Sequence, residues 1–342
     1  MSTPKILFIL KKKKLYDDET LNKTIHSGLL NSATFVNKML VDSGFDSHLV
    51  QVIDNNCIDR EITKYKPTDV IIEALWVIPE KFEVLHKLHP SVNWIIRLHS
   101  EMPFISNEGN AIDWIFRYSK ISKECKISIA PNTEKMYEDL KSIGVENLIY
   151  LPNYYPVLNK KKYHHYHRKY INIGCFGAIR PMKNQLIQAV AAIEFGNQMG
   201  KPIHFHVNTE RIEKGENAIK NIRALFENQK KHKLIEHSWY QHSDFIDLIS
   251  RMDLGLQMSF NETFNIVAAD FVSQNIPIIG SYEINWLSCV YKAVATDSRD
   301  MVKKMKIAYR FRKMNLQKLN KINLIKLGEE SQIIWGKYFK NK

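Results

Sequence analysis

The sequence predicts an α/β protein with two domains, each built on a parallel sheet, and three observations lead to this prediction. Short apolar runs alternate with amphipathic stretches along the chain, and strands separated by helices form parallel sheets. A basic stretch with two prolines, residues 148–169, interrupts the alternation near the middle of the chain. With 342 residues, 44% of them hydrophobic, the chain is long enough to bury two cores.

The N-terminal half contains five short apolar runs that are predicted to be strands. They cover residues 6–10, 47–53, 69–73, 94–98 and 126–129. A loop, residues 11–24, follows the first run and carries lysines at positions 11–14. A helix is predicted at residues 29–43, and helical segments separate the later runs. Residues 1–154 are therefore predicted to form an N-terminal Rossmann-like domain.

The C-terminal half repeats this alternation after a predicted basic linker, residues 155–170. Strands are predicted at residues 171–176, 203–207, 233–237, 254–257 and 276–279, with a helix at residues 184–199. Residues 171–325 are thus a second Rossmann-like domain. Residues 298–339 are predicted to form two basic helices, and we expect the last helical segment, residues 326–342, to pack back towards the N-terminal domain.

The segment SFNETFNIVAADFVSQNIPIIGS has the pattern of a ligand site at a helix start. Its predicted helix opens at Phe264 and Asn265, so backbone amides between Thr263 and Asn265 lack intrahelical partners and favour an anion. The carboxylates of Glu262 and Asp270, eight residues apart, can accept hydrogen bonds from sugar or ribose hydroxyls. A capped amphipathic helix with no ligand explains this segment alone about as well.

A second segment, INIGCFGAIRPMKNQ, strengthens the ligand interpretation. A predicted strand leads into a turn at Gly177, and the cations Arg180 and Lys183 precede a helix. A strand, a glycine turn and basic residues at a helix start form a common phosphate cradle, although the pattern is weak when taken alone. Both segments belong to the same predicted domain, which favours one shared ligand with phosphate and hydroxyl groups.

The two segments resemble the signature of GT-B glycosyltransferases of the GT4 type. MDLGLQMSFNETFNIVAADFV is similar to the version found in short glycosyltransferases of large tailed phages. The resemblance covers residues 171–286 well and the N-terminal half in outline. It implies the GT-B fold, in which two Rossmann-like domains face a central cleft. Two features depart from the family pattern: the arginine stands three residues after Gly177, and Asp270 replaces the usual second glutamate.

The resemblance also implies residue roles and a reaction. Glu262 would bind the donor sugar hydroxyls and Asp270 the nucleotide ribose, while Arg180 and Lys183 would neutralise the leaving diphosphate. Such enzymes retain the anomeric configuration, and the departing phosphate takes the proton of the acceptor, so no protein nucleophile is assigned. The expected nucleotide-sugar site comprises Gly177, Arg180, Lys183, Trp239, Glu262, Thr263, Phe264, Asn265 and Asp270.

Candidate residues of the N-terminal domain lie where predicted strands end, because ligands of parallel sheets bind beyond the carboxyl ends of the strands. His99 follows the predicted strand 94–98, and the resemblance places a histidine there across the cleft from the donor sugar. We therefore group it with Arg180, Lys183 and Glu262 as a catalytic candidate. A histidine bonded to a backbone carbonyl is an equal alternative. Further acceptor-side candidates are Gly28, Glu73, Arg97 and Glu101.

Neither a metal nor another cofactor is expected, and the nucleotide sugar would be a substrate. The sequence contains no Asp-x-Asp element to bridge a metal to a diphosphate, so the cations and helix-start amides would supply the electrostatic stabilisation. His164, His165 and His167 lie in a lysine-rich stretch without the spacing of metal ligands. Trp239 follows a predicted strand, within the candidate nucleobase region 237–241, where packing in a core is the commoner role.

Cysteine usage and the absence of apolar segments bear on the cellular compartment. The four cysteines are scattered without paired spacing, as in a reducing compartment. The first predicted strand begins by residue 6, and no apolar run reaches the roughly 18 residues that span a bilayer. We expect a cytoplasmic protein, in the host cytoplasm if a phage encodes it.

The positive charge is concentrated near the C-terminus. Residues 1–152 hold 19 basic and 20 acidic residues, whereas residues 301–342 hold 12 and 2, out of a net charge of +13 for the chain. Such a segment can bind DNA phosphates, bind an anionic membrane surface or remain a solvated helix face. Three hypotheses follow: transfer to hydroxymethylated bases of phage DNA, transfer to a lipid-linked or cell-surface glycan, and a non-catalytic DNA-binding protein on the same scaffold.

Overall fold

The computed structural model describes residues 4–12, 28–157 and 169–340. The chain divides into two compact units. The N-terminal unit comprises Met1–Pro156 and Gly328–Lys342, and the C-terminal unit comprises Val157–Leu327. Most of the predicted linker 155–170, including His164, His165 and His167, lies outside the described residues, as do the lysines at positions 13 and 14.

The N-terminal unit is built on a five-stranded parallel sheet with the order β2-β1-β3-β4-β5. Its elements are β1 (Lys5–Lys11), α1 (Gly28–Asp42), β2 (Asp46–Val52), α2 (Cys57–Tyr65), β3 (Asp69–Glu73), α3 (Pro79–Leu88), β4 (Asn93–Leu98), α4 (Met102–Ile105), α5 (Ala111–Cys125), β5 (Ile127–Pro131) and α6 (Glu134–Ser142). β1, β3 and β4 are almost continuously apolar because helices cover both faces of the sheet.

The last helix of the chain contributes to the core of the N-terminal unit. Trp335 and Phe339 are buried, and their rings lie 6.1 Å from Phe8 and 5.9 Å from Phe45, between ring centroids. The indole Nε1 of Trp335 donates to the carbonyl of Pro152 at 2.9 Å. These contacts bury large aromatic surfaces and supply much of the apolar stabilisation of this face.

The C-terminal unit is built on a six-stranded parallel sheet with the order β11-β10-β9-β6-β7-β8. Its elements are β6 (Ile171–Gly174), α7 (Gln185–Gln198), β7 (Ile203–Asn208), α8 (Glu216–Glu227), β8 (Lys233–His237), α9 (His242–Ile249), β9 (Leu254–Gln257), α10 (Ile266–Ser273), β10 (Ile278–Ser281), β11 (Lys292–Ala293), α11 (Ser298–Phe311) and α12 (Lys318–Lys340), whose residues from Gly328 onwards belong to the N-terminal unit. The predicted class, two parallel α/β sheets, is confirmed.

The strand boundaries differ from the predicted ones where the backbone turns. β5 begins one residue late because Lys126 caps α5 in a left-handed conformation, with φ of 54°. β10 begins at Ile278 because Asn275, with φ of 59°, ends the preceding helix and the Ile276 amide bonds back to the Phe271 carbonyl. β11 has only two residues, too few for an apolar pattern to predict it.

Within the described residues, no helix is both long and apolar enough to cross a membrane.

Candidate functional site

The two segments singled out in the sequence lie side by side at the carboxyl ends of β6 and β9. These strands are neighbours in the sheet, so the loops that follow them meet. The Phe260 amide donates to the Met182 carbonyl at 2.9 Å. The Asn184 side chain donates to the carbonyl of Met258 at 3.1 Å and to that of Ala295 at 2.7 Å. Hydrogen bonds from the Phe260 amide and the Asn184 side chain therefore hold the basic loop against the carboxylate loop.

Lys183 and Glu262 form an ion pair at the point where these loops meet. The Lys183 ammonium donates to Glu262 Oε1, and the two side chains are 13% and 9% exposed. Burial lowers the pKa of Lys183, with the charge of Arg180 adding to the effect and Glu262 opposing it. The pair thus presents a cation and a carboxylate together, as recognition of phosphate beside hydroxyl groups requires.

Arg180 lies at the start of a short 3-10 turn, Pro181–Lys183, that places the two cations on one loop. Its guanidinium is half-buried and lies 3.4 Å from Glu213, which also binds Arg211. A ligand anion beside Arg180 would therefore compete with a protein carboxylate. The bond to Glu213 orients the guanidinium within the turn.

Gly177 has φ of 116°, a conformation that side-chain-bearing L-residues rarely adopt. Its amide donates to Asn208 Oδ1 at 3.2 Å, and the Asn208 amide group in turn donates to the Ser238 carbonyl at 3.0 Å. A Cβ atom built on Gly177 would meet no heavy atom within 4 Å. The positive φ of Gly177 thus sets the shape of the turn, and the space beside its Cα atom is open.

The helix after Glu262 begins two residues later than the predicted start at Phe264. Asn265, with φ of 65°, is the N-cap of α10, and its side-chain oxygen accepts from the Ala268 amide at 2.8 Å. Its Nδ2 donates to Gln257 Oε1, and Gln257 donates to the Phe176 carbonyl. Both the oxygen and the nitrogen of the Asn265 side-chain amide are therefore hydrogen-bonded. Thr263 and Phe264 lie in the loop before the helix.

Phe264 is buried within the C-terminal unit, where its side chain packs against Trp286. Its ring lies 5.8 Å from that of Trp286, between centroids, and its carbonyl accepts from the Trp286 indole at 2.7 Å. Thr263 is half-buried in the loop between Glu262 and Phe264. Any anion at this loop would thus meet the neighbouring backbone and not the aromatic ring.

Asp270 forms a buried pair with His242, a residue that the sequence analysis did not single out. Asp270 is 1% exposed, and its Oδ1 lies 2.7 Å from Nε2 of His242, the first residue of α9, whose side chain is 22% exposed. Burial alone would lower the pKa of His242, but hydrogen bonding to Asp270 and the charge of Asp270 raise it. The accessible member of this pair is the histidine, because the shorter Asp270 is enclosed.

Trp239 lies in the loop that follows β8 and is half-buried, not enclosed in the core. Its ring is 5.3 Å from the Arg211 guanidinium, measured from centroid to Cζ, and its amide donates to Glu210. The ring is therefore held at the surface by a cation–π contact. This contact lies near the carboxyl ends of β7 and β8.

The N-terminal unit contains a chain of three interacting side chains, Arg97, Glu73 and His99, at the ends of β3 and β4. The His99 imidazole donates through Nε2 to Glu73, and Arg97 donates to both Glu73 oxygens at 3.2 and 3.3 Å. Asn132 donates to Nδ1 of His99 at 3.4 Å. Burial lowers the pKa of His99, and Arg97 adds to this effect while Glu73 opposes it. His99 is thus an oriented, neutral imidazole.

Glu73 and Arg97 are fully buried, which differs from the expectation that they line an acceptor pocket. Arg97 also donates to the carbonyls of Leu151 and Pro152 and to Asn153 Oδ1, so its donors are used within the protein. Burial alone would raise the pKa of Glu73, but Arg97 and His99 lower it. The structure places both residues behind His99, where they hold the ring.

The remaining acceptor-side candidates are Glu101 and Gly28, of which the first is buried and the second exposed. Glu101 is buried just before α4 and accepts from Lys135 Nζ at 3.0 Å. Gly28 is the first residue of α1 and is exposed. Only His99, with a part-exposed ring at the end of β4, combines accessibility with an organised set of partners.

Sequence reasoning missed His242, Asn208 and Asn132, although each lies at or after the carboxyl end of a strand, like the residues it found. Asn208 is the last residue of β7 and Asn132 directly follows β5, so both lie at carboxyl ends of parallel strands. His242 opens a helix after β8. A search for every polar residue after each strand would have found all three, whereas a motif search could not.

Potential metal ligands do not cluster in the part of the chain that the structure describes. No group of three or more histidine, cysteine, aspartate or glutamate side chains there is arranged to hold a metal ion.

No protein-family model matches the chain, and no curated protein matches its sequence. The chain is similar in structure to a glycosyltransferase from Rickettsia africae ESF-5, with 11% identity, a TM-score of 0.66, and coverage of 100% of this chain and 99% of the other. It is also similar to Anabaena Alr3699/HepE in complex with UDP and glucose, with 11% identity, a TM-score of 0.65 and 99% of both chains covered.

A third similar structure is the G117R mutant of S. aureus TarM in complex with UDP, fondaparinux and α-GlcNAc-glycerol. The identity is 15% and the TM-score 0.62, over 79% of this chain but 55% of TarM, so the chain spans about half the length of that protein. At identities this low the similarity establishes the fold alone. The chain has the fold of the GT-B glycosyltransferases.

Proposed function

We propose that this protein is a glycosyltransferase that transfers a sugar from a nucleoside-diphosphate sugar to a hydroxyl acceptor. The observation that carries the proposal is the Lys183–Glu262 ion pair, in which loops after neighbouring strands bring together a cation and a carboxylate. A donor of this class needs a cation and a carboxylate close to each other, since its diphosphate adjoins a hydroxyl-rich sugar. The GT-B fold supports this assignment.

Residue roles follow from accessibility and charge. Lys183 and Arg180 would bind the diphosphate, with the turn at Gly177 leaving room for it. Glu262 would exchange its bond to Lys183 for bonds to sugar hydroxyls. His242, positioned by Asp270, would contact the ribose or the adjacent phosphate in place of the family's second glutamate. Trp239 offers an aromatic face for the nucleobase.

The mechanism would depend on stabilising the leaving group. Breaking the bond between sugar and diphosphate leaves an oxocarbenium-like sugar and a dianion, and preorganised cations stabilise that charge most in a partly buried site. Lys183 is largely buried on the short turn Pro181–Lys183, so this cation is in place before the dianion forms. The resemblance to the GT4 type supports retention of configuration, with the departing phosphate taking the proton of the acceptor and with no metal required.

His99 would act on the acceptor side of the reaction. Glu73 accepts from Nε2, so the ring is held as the tautomer whose Nδ1 is unprotonated. Nδ1 receives the weak bond from Asn132, at 3.4 Å. This nitrogen could accept a hydrogen bond from a sugar hydroxyl. Arg97 and Glu73 would serve as positioning residues.

Two acceptor classes are consistent with the basic C-terminal segment. A hydroxymethylated base in DNA is supported by charge and by the similarity to phage enzymes. A lipid-linked or cell-surface glycan is supported by exposed apolar side chains among the same basic residues. The second observation is the more specific, because DNA phosphates provide no contact for apolar side chains.

A screen of nucleotide sugars tests the donor assignment. UDP-glucose, UDP-N-acetylglucosamine, ADP-glucose and GDP-mannose would be added singly, and one of them should raise the unfolding temperature because it binds only the folded state. Lys183→Ala and Glu262→Ala should abolish that shift and the transfer reaction while the protein stays folded. Near-normal turnover by either purified variant would refute the role assigned to that residue.

A further inference from the structure

The segment between α11 and the middle of α12 exposes large apolar side chains among lysines. Met314, Leu319, Ile322 and Ile325 are 73%, 40%, 50% and 42% exposed. Lys318 and Lys326 are exposed on the same stretch. We refer to residues 314–326 as the basic apolar patch.

The exposed side chains of the patch share one face of the helix. Residues three or four positions apart lie on the same side, so Leu319, Ile322 and Lys326 form one row, with Ile325 beside it. Asn320 and Leu324 face the opposite way and are 0% and 1% exposed. The apolar row is therefore the outer face of an amphipathic turn whose inner face is packed.

Hydrogen bonds fix this half of α12 to the C-terminal unit. The Asn320 side chain accepts from the Ser288 amide at 2.8 Å, and the Asn323 side chain donates to the Trp286 carbonyl at 3.1 Å. The outward orientation of Leu319, Ile322 and Ile325 thus follows from a well-anchored helix. Four exposed apolar side chains within twelve positions differ from the single exposed ones that are ordinary on protein surfaces.

The stretch of chain that contains the patch carries charge of one sign. Residues 301–328 contain nine basic residues and no acidic one, and the next charged residues along the chain are Glu329 and Glu330. Lysines alone would suit any polyanion. An apolar row between them suits only a surface that offers negative charge and hydrocarbon at the same depth, which is the boundary between anionic headgroups and acyl chains.

We propose that the basic apolar patch is a docking surface for anionic lipid bilayers, with Ile322 and its neighbours entering the headgroup region and lysines contacting lipid phosphates. The patch would hold the enzyme at a membrane, where a lipid-linked acceptor resides. The acceptor consequence rests on the proposed function, whereas the binding itself does not, because vesicle binding is measured without any nucleotide sugar. Failure of either proposal can therefore be recognised separately.

Sedimentation of the full-length protein with vesicles tests the proposal. The protein should bind vesicles of phosphatidylglycerol and phosphatidylcholine in equal amounts, and bind pure phosphatidylcholine far more weakly. Ile322→Gln/Ile325→Gln should weaken binding at least about tenfold, because two buried apolar side chains are lost. Lys318→Gln/Lys326→Gln should weaken it by a similar factor at low salt and less at high salt.

Matched variants separate the patch from general charge and hydrophobicity. Val84→Gln/Leu88→Gln removes two exposed apolar side chains from α3, and Lys230→Gln/Lys231→Gln removes two exposed lysines outside the patch. Neither should change vesicle binding by more than about twofold. Unchanged thermal unfolding of all four variants shows that they are folded.

Several outcomes would overturn the proposal. One is failure of the wild type to bind anionic vesicles. Another is binding that the isoleucine substitutions leave unchanged. Salt-sensitive binding to duplex DNA that depends on Lys318 and Lys326 but not on Ile322, in a protein that ignores vesicles, would assign the patch to nucleic acid.

Discussion

His242 Nε2 lies 2.7 Å from Asp270 Oδ1, and this bond joins the first turn of α9 to α10. Asp270 is almost fully enclosed, so its charge is balanced within the protein. The GT4-type pattern that the sequence resembles has a glutamate at this position. In this chain the carboxylate is shorter by one methylene, and the imidazole lies between it and the solvent-facing side.

The His242–Asp270 pair predicts a pH dependence of stability. Because Asp270 raises the pKa of folded His242, the stabilisation is complete below the unfolded value, about 6.5, and is lost as the pH rises through the folded value. Asp270→Asn should therefore lower the free energy of unfolding by about 1–3 kcal/mol, and more at pH 6 than at pH 8. Denaturant unfolding at both pH values measures the difference.

A surface pair provides the control for this prediction. His89 and Asp59 are also 2.7 Å apart, but Asp59 is exposed. Asp59→Asn should change the free energy of unfolding by less than about 1 kcal/mol at either pH. Equal pH effects in Asp59→Asn and Asp270→Asn would show that burial of Asp270 does not matter.

Substitutions of the Lys183–Glu262 pair should be strongly coupled. Lys183→Met or Glu262→Gln removes one partner of a pair with little exposure, and each should cost about 3 kcal/mol of unfolding free energy. The double variant should cost less than the sum, because no unpaired charge remains. Chemical unfolding of the four proteins gives the coupling energy, and an additive result would contradict the pairing.

Lys123→Met is the matched control for the pair. Lys123 bridges Glu146 at 3.1 Å on the surface, with both side chains largely exposed. Its loss should change stability by less than about 1 kcal/mol and leave the nucleotide-sugar shift intact.

The chain of Arg97, Glu73 and His99 predicts different costs for its inner and outer members. Arg97→Met leaves the carboxylate of Glu73 buried without its main cation and should destabilise the N-terminal unit by about 3–5 kcal/mol. His99→Gln keeps a donor near Glu73 and should cost about 1 kcal/mol. Thermal unfolding compares them.

Activity separates the two roles further. His99→Gln should lower kcat by about a hundredfold, since an acceptor contact is lost while the fold is kept. An Arg97→Met protein as stable as the wild type would contradict the positioning role of Arg97.

Gly177→Ala should weaken nucleotide binding beyond its effect on stability. At φ of 116° an alanine costs about 1–3 kcal/mol, although its methyl would meet no protein atom. The methyl would instead occupy the space proposed for the diphosphate. Calorimetric titration with UDP should show at least about tenfold weaker binding.

Gly44→Ala controls for backbone strain. Gly44 also has positive φ, 88°, and open space at Cβ, but it lies between α1 and β2. It should lower stability by a similar amount and leave UDP binding unchanged. Identical UDP binding by wild type and Gly177→Ala would place the ligand elsewhere.

Local patterns were sufficient to predict the described strands other than β11, but not the strand ends. Apolar runs such as residues 69–73 and 94–98 predict strands because a parallel sheet buries both faces. The ends depend on single residues such as Lys126 and Asn275, whose left-handed conformations were not evident in the sequence. Arg97 looked like a site residue because it is a charged residue at the end of a predicted strand. Its burial could not be predicted, because it depends on contacts with Leu151 and Pro152, far along the chain.

The sequence by itself determined the two α/β domains, the candidate donor residues Gly177, Arg180, Lys183 and Glu262, and the basic charge of residues 301–342. These features depend on periodicity, residue type and net charge, which are local properties of the chain. Only the tertiary structure decided that Lys183 pairs with Glu262, that His242 stands before Asp270, and that Ile322 faces outward between lysines. Such relationships depend on which strand ends are neighbours and which helix face is packed, and long-range contacts alone set both.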